Sequence, residues 1–104
     1  MLGELLDALE ALTGVPADTI ASPDTPRFAV ASAYRASSVY GDDANILDIP
    51  KVQIDVYAQD TADDLLDQIT ALLQLWHLPY TVEALNVYDE ETNRLRSIIQ
   101  AEVI

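Results

Sequence analysis

The sequence predicts an α+β fold: a single antiparallel-rich sheet of four to five strands with two helices packed on one face, in the order α-β-β-α-β-β. Three observations carry this. Between Lys51 and Ile69 the hydrophobic period changes from two to roughly 3.6 across one helix-start signal. Two leucine-rich stripes with acids opposite them mark amphipathic helices. The last quarter of the chain holds two alternating runs on either side of an acidic turn, as a hairpin does.

In chain order, Leu2, Leu5, Leu6, Leu9 and Leu12 share one helical face, with Glu4, Asp7 and Glu10 opposite. Gly14 and then Pro16 stop this helix. The stretch 15–25 is rich in turn formers and is expected as a loop, with room for a short strand at 18–22. From Arg27 to Ser37 the large residues Phe28, Val30, Ser32 and Tyr34 alternate with Ala29, Ala31, Ala33 and Arg35, which predicts a strand with one flat face. Residues 38–48 are expected as a long loop or protruding hairpin with Gly41, Asp42 and Asp43 at its tip. In the next strand Val52, Ile54, Val56 and Ala58 alternate with Gln53, Asp55 and Tyr57. Thr61 and Asp64 have capping-box spacing ahead of a second helix, whose stripe is Leu65, Leu66, Ile69, Leu72, Leu73 and Trp76. Asp60, Asp63, Asp64 and Asp67 suit the positive end of its dipole. Strands over 79–89 and 94–103 follow, and Asn93 supplies the left-handed residue of the bend between them.

Length and composition bound the function. At 104 residues the chain suits one compact domain, and with half its residues hydrophobic it has the means to build a core. It has no cysteine, so disulfides and thiolate metal sites are excluded. No apolar run approaches the roughly 18–20 residues of a membrane span, and no basic region precedes the first leucines as in a secretion signal. There are 18 acids against 5 bases, a net charge of −13, which argues against binding a phosphate backbone as the main task. Such a surface suits high solubility, mimicry of DNA, or a wall past which DNA slides without sticking.

Chemistry is sparse. His77 is the one histidine and stands at the end of the second helix, where it suits the negative helix terminus. No serine or cysteine pairs with it in a recognisable motif. The acidic groups 42–43, 60–64 and 89–91 lack the alternating spacing and glycine of a calcium loop, and turn and cap roles account for them. Three glycines leave no phosphate-binding loop. The five tyrosines fit half-buried strands or a subunit contact better than stacking on single-stranded nucleic acid, which the acid excess opposes. No enzyme activity, cofactor or metal is expected. The apolar residues are less bland: Leu85 and Val87 fall on the face opposite Tyr80, Val82, Ala84 and Tyr88, and Ile98 lies opposite Ile99. Helices on one face leave such residues for a second layer, most economically another copy of the chain.

Several segments together carry a family pattern. They are the leucine-rich first helix, the proline-rich link, Arg27-Phe-Ala-Val-Ala-Ser-Ala-Tyr34, the polar Tyr40-Gly-Asp-Asp43, and Val52-Gln-Ile-Asp-Val-Tyr57 with its helix. Tyr80-Thr-Val82, Tyr88-Asp-Glu-Glu91 and Glu102-Val-Ile104 complete it. Over nearly the whole chain this resembles the small tail-completion, or tail-terminator, proteins of long-tailed bacteriophages and prophages. It departs from them in lacking their common tyrosine at 98–100 and in a less basic first strand. The resemblance implies a virion protein made in the bacterial cytoplasm and assembled as a ring, usually of six. That ring caps the tail tube and joins it to the head connector proteins while DNA passes through unbound. It implies no catalysis. The segment 38–48 would reach a neighbouring subunit or the tube. Bases on the strands (Arg27, Arg35, Arg94, Arg96) would pair across subunits with helix or loop acids and set the register. The interface candidates are thus Arg27, Arg35, Tyr40, Asp42, Asp43, Asp55, Tyr57, Arg94, Arg96 and Ile98, with Asp55 and Tyr57 on the face away from the helices. The rival readings are an acidic DNA-mimic inhibitor, a head-side stopper or connector protein, and a small-ligand domain of the ferredoxin-like class, which the shortage of glycine disfavours.

Overall fold

The computed structural model describes residues 2–17, 25–40 and 45–102, with 2, 34–40 and 45–50 described as backbone. The chain runs α1 (Leu2–Thr13), β1 (Phe28–Tyr40), β2 (Asn45–Ala58), α2 (Leu65–Leu75), β3 (Tyr80–Asp89), β4 (Arg94–Glu102). This is the expected α-β-β-α-β-β order, an α+β fold built on one open four-stranded sheet ordered β1-β2-β4-β3. Every pairing in the sheet is antiparallel.

The period-two pattern decides which face is covered. Opposed residues of an antiparallel pair share a face, so Ala31, Ile54, Ile99 and Val82 form one row across the sheet, and Ala33, Val52, Ala101 and Tyr80 the next. On this face Leu5 and Leu9 of α1 and Leu65, Ile69 and Leu73 of α2 are buried against Ala29, Ala31, Val52, Ile54, Val56, Ile99 and Ala101. The small side chains of β1 let α1 lie close, as its flat face predicts. Both helices therefore pack on one side.

The helix ends follow their local chemistry. Gly14 takes φ +80° and its N–H reaches the Glu10 carbonyl at 2.7 Å, closing α1. Beyond it the Ala17 carbonyl accepts the outward N–H of Ala31 at 2.8 Å and so covers part of the β1 edge. The start of α2 corrects the expected capping box. Asp64, not Thr61, precedes the first helical residue, and its side chain makes no cap bond. Asp60 and Asp63 instead accept the N–H groups of Ala62 and Leu65, each two residues on and each at 2.9 Å. These local side-chain turns hold residues 61–64 out of the helix.

His77 is the left-handed residue that ends α2 (φ 56°). Its N–H binds the Gln74 carbonyl at 3.1 Å and that of Leu78 binds Leu73 at 3.0 Å, with Leu73 and Leu78 both buried. This is the paired hydrogen-bond closure of a Schellman motif, made by a residue other than glycine.

Three features depart from the expected strands. First, residues 38–48 are mostly not a loop. The β1–β2 ladder continues without a shift to Tyr40↔Asn45, so the hairpin alternative holds. The expected tip at Gly41, Asp42 and Asp43 lies outside the described residues, as does the optional strand at 18–22. Second, among the described residues β4 accompanies β2 only from Lys51 to Ala58. The six pairs from Arg35↔Pro50 to Tyr40↔Asn45 continue beyond it as a ribbon with no described third strand alongside. Third, β3 shifts register between Val82 and Ala84 and again between Ala84 and Val87, with Asn86 at φ 50°. The shift pairs Ala84 with Ile98 and moves it off the Val82 face, where strict alternation puts it.

The ribbon explains the shape. The molecule measures 51 × 27 × 21 Å with a radius of gyration of 14.8 Å. A compact domain of this length has a radius near 13 Å.

Candidate interaction surface

On the face away from the helices the register lines up Phe28, Tyr57, Arg96 and Val87 in one row and Val30, Asp55, Ile98 and Ala84 in the next. Four sequence-predicted residues, Asp55, Tyr57, Arg96 and Ile98, are thus brought together. Arg96 Nη2 lies 2.8 Å from Asp55 Oδ2, and Gln53 Nε2 donates to Asp55 Oδ1 at 3.0 Å. Arg96 Nε is buried with no hydrogen-bond partner among the described residues. Burial works against the Arg96 charge, but Asp55, Tyr57 and Asp89 together outweigh it and raise the guanidinium above its ordinary range.

Tyr57 corrects the expectation of an open contact residue. It lies on the predicted face, yet only 4% of it is accessible. Its ring stacks on Phe28, its direct cross-strand partner, with centroids 4.5 Å apart and planes 18° from parallel. Burial raises its phenol above the usual tyrosine range; Arg96 opposes the shift and Asp55 adds to it.

Two other predicted residues serve the chain's own fold. Arg27, just ahead of β1, reaches Asp63 at 3.1 Å and Asp64 at 3.3 Å. It also donates to Gln68 Oε1 at 2.7 Å and to the Leu12 carbonyl at 3.5 Å. One guanidinium thus ties the end of α1 to the start of α2, on the covered side of the sheet. Arg94 is buried and donates to the carbonyls of Thr25 at 3.0 Å, Asn93 at 3.2 Å and Thr92 at 3.3 Å. The idea that Arg27 and Arg96 seek acids on a neighbouring subunit is therefore corrected: both find carboxylates in their own chain, because α2 and β2 bring those acids within reach. Arg35 and Tyr40 lie in the ribbon, opposite Pro50 and Asn45. Asp42 and Asp43 lie outside the described residues.

The ribbon ladder accommodates Pro50. The outward Ala31 N–H shows that even-numbered β1 residues turn their N–H groups toward β2. Antiparallel alternation then directs the even-numbered residues of β2, Pro50 included, toward β4. The missing N–H of Pro50 costs the β1 ladder nothing and falls one residue beyond the last described β4 pair, Lys51↔Glu102.

The opposite edge, β3, presents Val82, Leu85, Val87 and Tyr88, each between 43% and 61% accessible. Leu85 and Val87 were legible as surplus apolar residues. Tyr88, whose hydroxyl pairs with the Asn93 side chain, was not. A cleft of about 100 Å³ beside Lys51, Tyr80 and Glu102 is well short of the roughly 300–1,000 Å³ of small-molecule sites. Among the described residues no three acidic or histidine side chains gather as a metal site requires, and no helix is long and apolar enough to cross a membrane. What the geometry offers is contact surface: a ribbon, an apolar β3 edge, and a sheet face away from the helices that is itself buried at Phe28 and Tyr57 and half-buried around Val30, Ile98 and Ala84. Compared with family models, curated proteins and solved structures, the chain matches none.

Proposed function

We propose that this protein is a structural component of the neck or upper tail of a long-tailed bacteriophage or prophage. It works by assembling into a ring, of six copies by the resemblance above, that completes the tail and joins it to the head connector. The observation that carries the reading is the ribbon. Among the described residues no third strand accompanies its two strands, and an isolated hairpin is at best marginally stable in water. Such an element gains its stability from a neighbour.

Two further features support the reading. The half-buried row Val30, Ile98 and Ala84 lies on the face that the helices leave open. The net charge of −13 suits a lumen through which DNA passes without adhering. Partners in this reading are further copies of the chain, the tail tube protein and the head connector proteins.

Sedimentation of the purified protein, alone and with tail tubes, tests the proposal. The expected result is a closed oligomer in solution or on the tube end. A strict monomer at high concentration that also fails to assemble on tubes overturns it. Particles made without the protein separate the two related roles: abnormally long tails mark a terminator, and normal unattached tails a joining or stopper protein.

The acidic DNA-mimic reading has the net charge in its favour. It needs free carboxylates arrayed on one surface, whereas Asp55 is matched by Arg96, and Asp63 and Asp64 by Arg27. Inhibition of DNA-binding enzymes by the added protein would select it.

A further inference from the structure

The ribbon and the apolar β3 edge lie on opposite sides of the sheet, whose order is β1-β2-β4-β3. We propose that the ribbon of one copy, residues 35–40 and 45–50, docks on the outer edge of β3 of the next, around Val82, Leu85, Val87 and Tyr88. This deepens the ring reading and rests on it.

Placement gives the first argument. Contacts between unlike patches on opposite sides of a subunit repeat in one sense and build rings, whereas a two-fold dimer needs one patch that matches itself. Dimensions give the second. Six residue pairs at about 3.4 Å per residue make a ribbon of about 20 Å, and Val82 to Tyr88 spans about as much.

Chemistry gives the third. The ribbon sequence carries Val39, Tyr40, Ile46, Leu47 and Ile49, and its only charges are Arg35 and Asp48. With Asp42 and Asp43 between its two halves in the sequence, the hairpin has three acids to one base, and Arg35 is the charge that suits an acidic neighbour. The β3 strand contains Glu83 and Asp89 and no base. Packing β3 on a second β3 would set acid against acid, a pairing that like-charge repulsion disfavours.

The form of the contact follows from the backbone. The two register shifts of β3 break the even spacing that an added strand would need. The ribbon therefore lies on the β3 edge through side chains and does not extend the sheet.

The chain has no cysteine, so engineered cysteines report the contact cleanly. Leu85→Cys is combined with Ser37→Cys or with Ser38→Cys; successive strand residues point to opposite faces, so the two combinations sample both sides of the ribbon. Mild oxidation of the assembled protein should give a ladder of linked multimers with at least one combination and no linked dimer from any single variant. Leu85→Asp, at an exposed position that leaves folding intact, should weaken self-association by about tenfold or more. Dimers from a single variant mean a two-fold contact and overturn the proposal. Oligomers that form without linkage in either combination overturn this contact and leave the ring reading standing. A strict monomer overturns both.

Discussion

From Phe28↔Tyr57 to Tyr34↔Lys51 the β1–β2 hairpin is a wall of the core, with β4 beside it and both helices above it. From Arg35↔Pro50 to Tyr40↔Asn45 the same ladder continues beyond the last described pair of β4. The backbone pairing is alike in the two halves; a neighbouring strand and core-packed helices are described beside the first half alone. The contrast teaches that a ladder of hydrogen bonds sets the path of a hairpin, whereas burial of apolar surface supplies most of its stability. The base is held by its own chain.

That contrast can be broken at the base first. Ile54 is fully buried between the helices and the sheet, so Ile54→Ala should lower unfolding stability by about 3 kcal/mol, read by denaturant titration. A loss below about 1 kcal/mol would mean that the base is not the stabilised half.

Arg27 sharpens the same half, because it joins α1 and α2 beside the first residues of β1. Its bonds are partly exposed to solvent, so Arg27→Ala should destabilise by about 1–2 kcal/mol. Asp63→Ala combined with it should give less than the sum, which a double-mutant cycle measures.

Tyr57 gives a pH-dependent probe. Its phenol titrates higher in the folded chain than in the unfolded one, so the unfolded state loses the proton first. Its contribution is fully present below the unfolded value, about pH 10, and is lost as pH rises through the folded value. Tyr57→Phe should remove this alkaline decline from a series of unfolding curves. An unchanged slope would mean that the stacked pair is open to water.

The smallest effect on stability is expected from the ribbon. Replacing residues 37–48 with Asn-Gly closes the hairpin at Ala36↔Ile49 with a two-residue turn. Unfolding stability should change by less than about 1 kcal/mol, as expected for a ribbon that is marginal by itself. Self-association should be lost. A large drop in monomer stability would show that the ribbon belongs to the core.

Much of the base was legible because its signals are local. The alternation from Val52 to Ala58 and the leucine stripes report burial by themselves. Gly14 and Asn93 mark backbone positions that need positive φ, and both residues have it. Signals that depend on distant partners were not legible. Thr61 and Asp64 have capping-box spacing, but Asp60 and Asp63 capture the nearby N–H groups first. The burial of Tyr57 depends on Phe28, 29 residues earlier in the sequence, and alternation alone marks Tyr57 only as uncovered by helices. The polar segment 38–48 reads as a loop because ladder pairing leaves little trace in composition.

By itself, then, the sequence determined the elements, their order and which strand face meets the helices, since period and turn chemistry act within a few residues. Its acidity also opposes binding to a phosphate backbone. Only the tertiary structure decided that the sheet runs β1-β2-β4-β3, that the β1–β2 ladder continues without a shift to Tyr40↔Asn45, and that Arg27 and Arg96 are matched within the chain. These depend on which strands lie side by side and in what register. Register is fixed by the summed packing of a whole face, and no short stretch of sequence contains it.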